Sequence, residues 1–249
     1  MIVILKAFSI LVTISLIAPI QSFLVIFKVR YRYYLPIIFH KIILKILRIK
    51  VKLIGKHNKR RPLVLIGNHT SYIDIMVLGS IMPISFVAKS EISKWFLFGF
   101  LAKMQNTVFI TRKNFKTKES LKKINKKLNS NYALVLFPEG TTNSGKTILN
   151  FKTSLFNLFE YNNTLRLQNF TLCYTHVNDM PIDNRSRPKI SWYGDMNLFQ
   201  HLGGLLKLSC LDVTVVFHPT FLTKGLHRKE ISNLYMSQVK EGKRIVLIN

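Results

Sequence analysis

From Ala7 to Phe27 the chain runs for twenty-one positions without a charged residue, between Lys6 on one side and Lys28, Arg30 and Arg32 on the other. As a helix such a run is about 31 Å long, the thickness of a hydrocarbon core. A retained anchor fits better than a cleaved leader, because the run is long for a leader and no small-x-small cleavage site precedes a polar mature start. Pro19 and Gln21 interrupt it, which leaves a spanning helix, a helical hairpin and a re-entrant segment all open. The heavier basic flank on the C-terminal side places the rest of the chain in the cytoplasm, on the inner face of the plasma membrane.

A second apolar segment, Tyr34 to Ile49, carries Lys41, Lys45 and Arg48 at helical spacing on one face. It reads as an interfacial helix whose cations meet lipid phosphates, with a buried helix of the main domain as the alternative. Residues 1–55 are therefore expected to anchor the protein, and 56–249 to form one catalytic domain.

Beyond the basic stretch Lys56 to Arg61, apolar runs alternate with helical patterns, which is an α/β signature. Strands are expected at Leu63–Ile66, Ser85–Ala88, Thr107–Thr111, Tyr132–Phe137, Thr171–Thr175, Ile190–Tyr193 and Val213–Phe217. Helices are expected from Ser71 and over Ile92–Met104, Thr117–Asn129, Phe151–Glu160 and Arg228–Val239. Polar clusters follow three of the strands: Asn68 to Asp74, Arg112, and Pro138-Glu139-Gly140-Thr141-Thr142. If those strands are parallel, the clusters meet at the carboxyl edge of the sheet, where α/β proteins bind ligands.

Each cluster has chemistry to offer. A carboxylate at Asp74 can fix the tautomer of the His69 imidazole, so that the other ring nitrogen takes a proton from a hydroxyl. Ser71-x-x-Asp74 also fits a helix start, which holds Asp74 in place while His69 sits in the loop before the helix. Arg112 has the fork geometry that grips phosphate. Glu139, an acid in a very basic chain, stands in a tight turn where it can orient a polar headgroup or the cations that hold one.

Lys and Arg outnumber Asp and Glu by 37 to 11, a net charge of +26. That selects polyanionic partners, among them anionic lipid, phosphorylated substrates and nucleic acid, without choosing between them. Cys173 and Cys210 lie in apolar segments and read as small core residues of a reducing compartment. No metal-ligand spacing, phosphate-binding P-loop or dinucleotide fingerprint is present, so no metal is expected. Asp212 and His218, six apart on one expected strand, form a weak second pair amid ordinary core residues.

Taken together, the motifs resemble the lysophospholipid acyltransferase family, whose best-known bacterial members are 1-acylglycerol-3-phosphate acyltransferases. The likeness rests on Asn68-His69-x4-Asp74, on Val108 to Arg112 and on Phe137-Pro138-Glu139-Gly140-Thr141, in that order, with Phe86 to Glu91, Phe151-Lys152 and Trp192 to Asp195 beside them. It implies a mixed α/β sheet flanked by helices and preceded by hydrophobic membrane helices. It also implies His69 as general base, Asp74 as its orienting acid, and Asn68, Arg112, Glu139, Gly140, Thr141 and Lys152 around the acceptor. The implied reaction moves a fatty acyl group from acyl-CoA or acyl carrier protein to 1-acylglycerol-3-phosphate, giving phosphatidic acid, with no cofactor. The chain departs from the family at Asn106 and near Ser154, where glycine is usual, and at Leu172-Cys173-Tyr174-Thr175, where a proline-containing motif on the acyl-donor side is usual.

Two alternatives compete. The acceptor can be another lysolipid, such as lyso-ornithine lipid, whose head lacks phosphate. A non-catalytic basic lipid or nucleic-acid binder rests on charge alone, and nucleic acid is disfavoured by the absence of a recognition motif.

Overall fold

The structure, a computed structural model, describes residues 1–111, 123–124, 126–128, 132–157, 165–221 and 226–248. A mixed sheet runs in the order β1-β8-β6-β2-β5-β3-β4. The strands are β1 (Ile49–Ile54), β2 (Leu63–Gly67), β3 (Ile84–Lys89), β4 (Val108–Ile110), β5 (Ala133–Leu136), β6 (Arg166–Val177) and β8 (Leu211–Phe221), with the short β7 (Met180–Pro181) folded back antiparallel on β6. From β6 to β4 all neighbours are parallel, while β8 runs against β6 and β1 follows β8.

The central strand β2 shows why its sequence reads as an unbroken apolar run. Leu63 and Leu65 enter one buried cluster, with Ile43, Leu44 and Leu47 of α2 (Leu35–Leu47), Ile73 and Val77 of α3 (Ile73–Gly79) and Leu205 of α5 (Leu198–Leu206). Val64 and Ile66 enter the other, with Ile124, Leu128 and Ile231, Tyr235 and Val239 of α6 (Arg228–Ile248). Alternate side chains thus serve opposite faces, and both faces are covered by helices.

The first helix, α1 (Ile2–Ile26), is continuous through Pro19 and Gln21. It is long and apolar enough to cross a membrane by length and composition. Two of its polar side chains nevertheless turn inward. Lys6 Nζ donates to Leu208 O at 2.7 Å, and Gln21 Nε2 donates to Arg32 O at 3.1 Å and Met104 O at 3.0 Å. These ties are fifteen positions apart, or about 22 Å of helix. The helix therefore lies along the rest of the fold, against α2, α4 (Phe96–Met104) and α5. Its outer face leaves Ile4, Phe8, Leu11, Leu16, Ile20 and Phe23 exposed.

Several expectations are corrected. The sheet has an edge strand, β1, at Ile49–Ile54 where no strand is expected, and α2 packs into the same buried cluster as β2. Ile190–Tyr193 is no strand: a 3-10 turn over Arg187–Lys189 precedes it, and the Trp192 N–H bonds Thr70 O at 3.1 Å. Phe151–Glu160 opens with a 3-10 turn at Thr153–Phe156 and turns helical at Asn157, with 158–160 outside the described residues. Ile92–Met104 divides into a 3-10 turn, Ser90–Lys94, and α4, because Trp95 is extended (φ −71°, ψ 124°). Most of Thr117–Asn129 lies outside the described residues.

Candidate active site

The carboxyl ends of β2 and β5 lie side by side, so the loops after them meet as the sequence order requires. Gly67 ends β2 against β6 with no room for a side chain, since a Cβ there would stand 2.4 Å from the Phe170 ring. Asn68 follows, 3% exposed, and its amide both donates to Leu172 O and accepts from Leu172 N–H, each at 2.8 Å. This side chain fastens the loop to β6.

His69 Nδ1 lies 2.7 Å from Asp74 Oδ2, with the histidine side chain 17% exposed and the aspartate fully buried. The imidazole stacks on Phe137 at 3.9 Å between ring centres, 12° from parallel. Asp74 Oδ2 also accepts from Thr70 N–H at 2.7 Å and Ser71 N–H at 3.0 Å, and Oδ1 accepts from Tyr174 O–H at 2.6 Å. A buried carboxylate with four donors is compensated as the anion, which makes Nδ1 the protonated nitrogen and leaves the Nε2 lone pair free to accept. The helix-start reading holds in one direction: Asp74 takes the Ser71 N–H, whereas Ser71 Oγ is buried without a partner.

Tyr174 escapes a reading of sequence because it stands one hundred positions from Asp74, inside a strand that reads as core. Burial and the neighbouring Asp74 charge push its phenol well above the usual range, so it remains a donor. The departure at Leu172 to Thr175 thus meets the His69–Asp74 pair itself.

Glu139 is 2% exposed and ties three segments together. Oε1 accepts from His69 N–H at 2.8 Å, and Oε2 accepts from Leu149 N–H at 2.9 Å and from the Asn143 amide, which also donates to His69 O at 3.3 Å. The Glu139 oxygens hold the His69 backbone, directly and through Asn143. Asn143, which carried no signal in the sequence, closes the same ring of bonds. Lys243 of α6 donates to the carbonyls of Gly145 and Lys146 and fastens this loop from behind.

Burial raises the Glu139 carboxyl to about 7 against an ordinary 4.5, with the N–H donors of His69 and Leu149 opposing. The folded value lies above the unfolded one, so its stabilising contribution is complete below about 4.5 and is lost as pH rises through about 7. Thermal melts of the parent and of Glu139→Gln should therefore diverge, the parent gaining up to about 3 kcal/mol relative to the variant between about pH 8 and about pH 5. A difference constant across that window would exclude the effect.

Gly140 has φ +70° and lies against Lys152, whose Nζ would stand 2.7 Å from a Cβ at that position. Lys152 and Thr141 are exposed. Arg112 lies outside the described residues. Asn106 adopts φ 57°, in the left-handed region where glycine is favoured and asparagine is tolerated, which accounts for that departure. The Asp212 and His218 pair does not form: His218 Nε2 bonds Thr171 Oγ1 at 2.8 Å, and Asp212 Oδ1 has no partner. Among the described residues no group of three potential metal ligands is found.

Residues 48–167 match the family described as Acyltransferase. Lyso-ornithine lipid O-acyltransferase of Brucella abortus is 35% identical over 89% of this chain and 86% of its own length. The enzyme of that name from Rhizobium meliloti is 34% identical over 93% and 82%. The 1-acyl-sn-glycerol-3-phosphate acyltransferase of Neisseria gonorrhoeae is 34% identical over 41% and 42%. In three dimensions the 1-acyl-sn-glycerophosphate (LPA) acyltransferase of Thermotoga maritima shares the fold, with a TM-score of 0.65 at 19% identity over 97% of both chains.

Proposed function

The chain belongs to the acyltransferase family and acts on lysolipids, and from that premise we propose that it moves a fatty acyl group from a thioester to the free hydroxyl of a lyso-ornithine lipid. What supports this acceptor is the reach of the likeness in sequence: sequence relatives named for it match nearly end to end, whereas those named for 1-acyl-sn-glycerol-3-phosphate match over less than half of the chain, and the Thermotoga maritima structure shares the fold at only 19% identity. The phosphate-bearing acceptor is the second reading, and the phosphate-gripping role expected of Arg112 belongs to it.

The observation that carries the chemistry is the His69–Asp74 contact. His69 Nε2 takes the acceptor's hydroxyl proton as the oxygen attacks the thioester carbonyl. The carbonyl electron pair moves onto oxygen, and a tetrahedral oxyanion forms. Collapse restores the carbonyl, breaks the carbon–sulfur bond and expels a thiolate, which recovers the proton from the imidazolium. Asp74 holds Nδ1–H and steadies the transient charge. The N–H groups of residues 69–71 are engaged by Glu139 and Asp74, so stabilisation of the oxyanion falls to a neighbouring hydroxyl or another donor. The thiol belongs to coenzyme A or to acyl carrier protein. No cofactor enters this scheme.

The same reading places the protein on a membrane, with α1 lying in the plane of one leaflet on the cytoplasmic side. The inward ties of Lys6 and Gln21 and the apolar outer face of α1 support an in-plane helix over a perpendicular one.

The acceptor is tested by competition. With one donor, lyso-ornithine lipid and 1-acylglycerol-3-phosphate are offered together in mixed micelles, and both products are quantified. We expect lyso-ornithine lipid to be favoured at least about tenfold in kcat/KM, equivalent to about 1.4 kcal/mol. Equal use or a reversed preference would overturn the assignment and favour the second reading.

A further inference from the structure

The α1 helix is not the only apolar surface the fold leaves in the open. Phe96, the first residue of α4, is 97% exposed, and Phe199, near the start of α5, is 76% exposed. Single exposed apolar residues need no explanation, but these two occupy related places. Both helices pack against α1: its ties reach Met104 at the end of α4 and Leu208 just beyond α5. Their opposite ends, which bear the two phenylalanines, are linked by aromatic rings. Trp95 meets Trp192 at 6.3 Å between centres, Trp192 meets Tyr72 at 6.1 Å, and Tyr72 meets His201 of α5 at 5.5 Å, with its hydroxyl 3.0 Å from His201 Nδ1. This row borders the catalytic loop, because Trp192 N–H bonds Thr70 O and Tyr72 is three residues from His69. Trp95 is itself 39% exposed. Lys94, exposed two residues before Phe96, supplies positive charge that lipid phosphates attract at this end, and Lys103 and Lys207 are exposed at the ends that meet α1.

We propose that Phe96 and Phe199 form a second membrane contact, inserting into the anionic leaflet on which α1 lies and setting the mouth of the His69 site against the lipid surface. The inference rests on the membrane-bound lysolipid reading above, and adds to it a place where the leaflet meets the site. Aromatic side chains with a neighbouring lysine suit the boundary between headgroups and acyl chains. A lysolipid then reaches His69 without leaving the bilayer for water.

The chain contains only two tryptophans, Trp95 and Trp192, and both stand in the aromatic row. Tryptophan fluorescence therefore reports on this mouth alone. The full chain is bound to vesicles of phosphatidylcholine and phosphatidylglycerol in which part of the phosphatidylcholine carries brominated acyl chains, and quenching is read on the vesicle-bound fraction. We expect clear quenching in the parent. Phe96→Ser with Phe199→Ser should reduce it at least about twofold and weaken vesicle binding by about tenfold or more. Met180→Ser, which removes another exposed apolar side chain, on β7 rather than on α4 or α5, should match the parent. Vesicle-bound protein whose fluorescence bromine does not quench, or a double variant indistinguishable from the parent, would overturn the proposal. Failure of the acyl-transfer reading is seen separately, as absence of product from the parent in detergent micelles.

Discussion

Replacing His69 with alanine is expected to lower kcat by about a thousandfold or more while changing KM by less than about threefold. General-base catalysis contributes about 10²- to 10⁴-fold, and no other group in this site takes over proton removal: Asp74 is buried and already accepts four hydrogen bonds. The loss should be catalytic rather than structural. Without the imidazole, Asp74 keeps Tyr174 and the N–H groups of Thr70 and Ser71, and the backbone at residue 69 keeps its tie to Glu139. Initial rates at saturating donor and acceptor, paired with a thermal melt, separate the two effects. A variant within about tenfold of the parent rate would remove His69 from the mechanism.

The second large effect is expected from Asp74→Asn, whose size depends on which way the new amide turns. Oδ2 faces three donors, the His69 ring and two backbone N–H groups that cannot rearrange, so an oxygen must remain there. The amide nitrogen then faces Tyr174, whose hydroxyl can rotate and accept from it. This orientation keeps the proton on Nδ1 and leaves Nε2 free. What disappears is the negative charge that steadies the imidazolium, so kcat should fall by about a hundredfold, less than when the tautomer is also lost. Removing Tyr174's hydroxyl in the same background, as Tyr174→Phe, then adds little, and this double-mutant cycle checks the orientation. A fall in kcat as deep as that of His69→Ala would mean that the amide has turned the other way.

Much of this site is legible in the order of residues alone. The clusters after β2 and β5 meet because those two apolar runs, separated in sequence by β3 and β4, become parallel neighbours, and periodicity reports such strands well. Partners remote in sequence are not legible, nor is the direction of a side chain. Tyr174 lies in a strand of otherwise apolar character, and Asn143 in a turn, so neither carries a signal without its partner. Asn68 and Glu139 stand at the expected edge but point inward, a choice made by packing against β6 and the Leu149 segment. The α5 helix is hidden because Gly203 and Gly204 weaken its propensity, although Asn197 caps it through bonds from Phe199 N–H and Gln200 N–H. Ile190–Tyr193 misleads for the opposite reason: four residues with an apolar start are too few to distinguish a strand from a buried turn.

The ties of α1 also bear on the order in which the chain can be built. Gln21 bonds a carbonyl 83 positions ahead, and Lys6 one 202 positions ahead. During synthesis the helix leaves the ribosome well before the carbonyl that takes Lys6, which emerges after β6 and before β8 completes the sheet. Synthesis at about 5–20 residues per second leaves this apolar segment without that partner for about ten seconds or more. On the membrane-bound reading proposed above, a bilayer surface is where it can wait, and the lipid that later feeds the site then first serves as the bench on which the site is assembled.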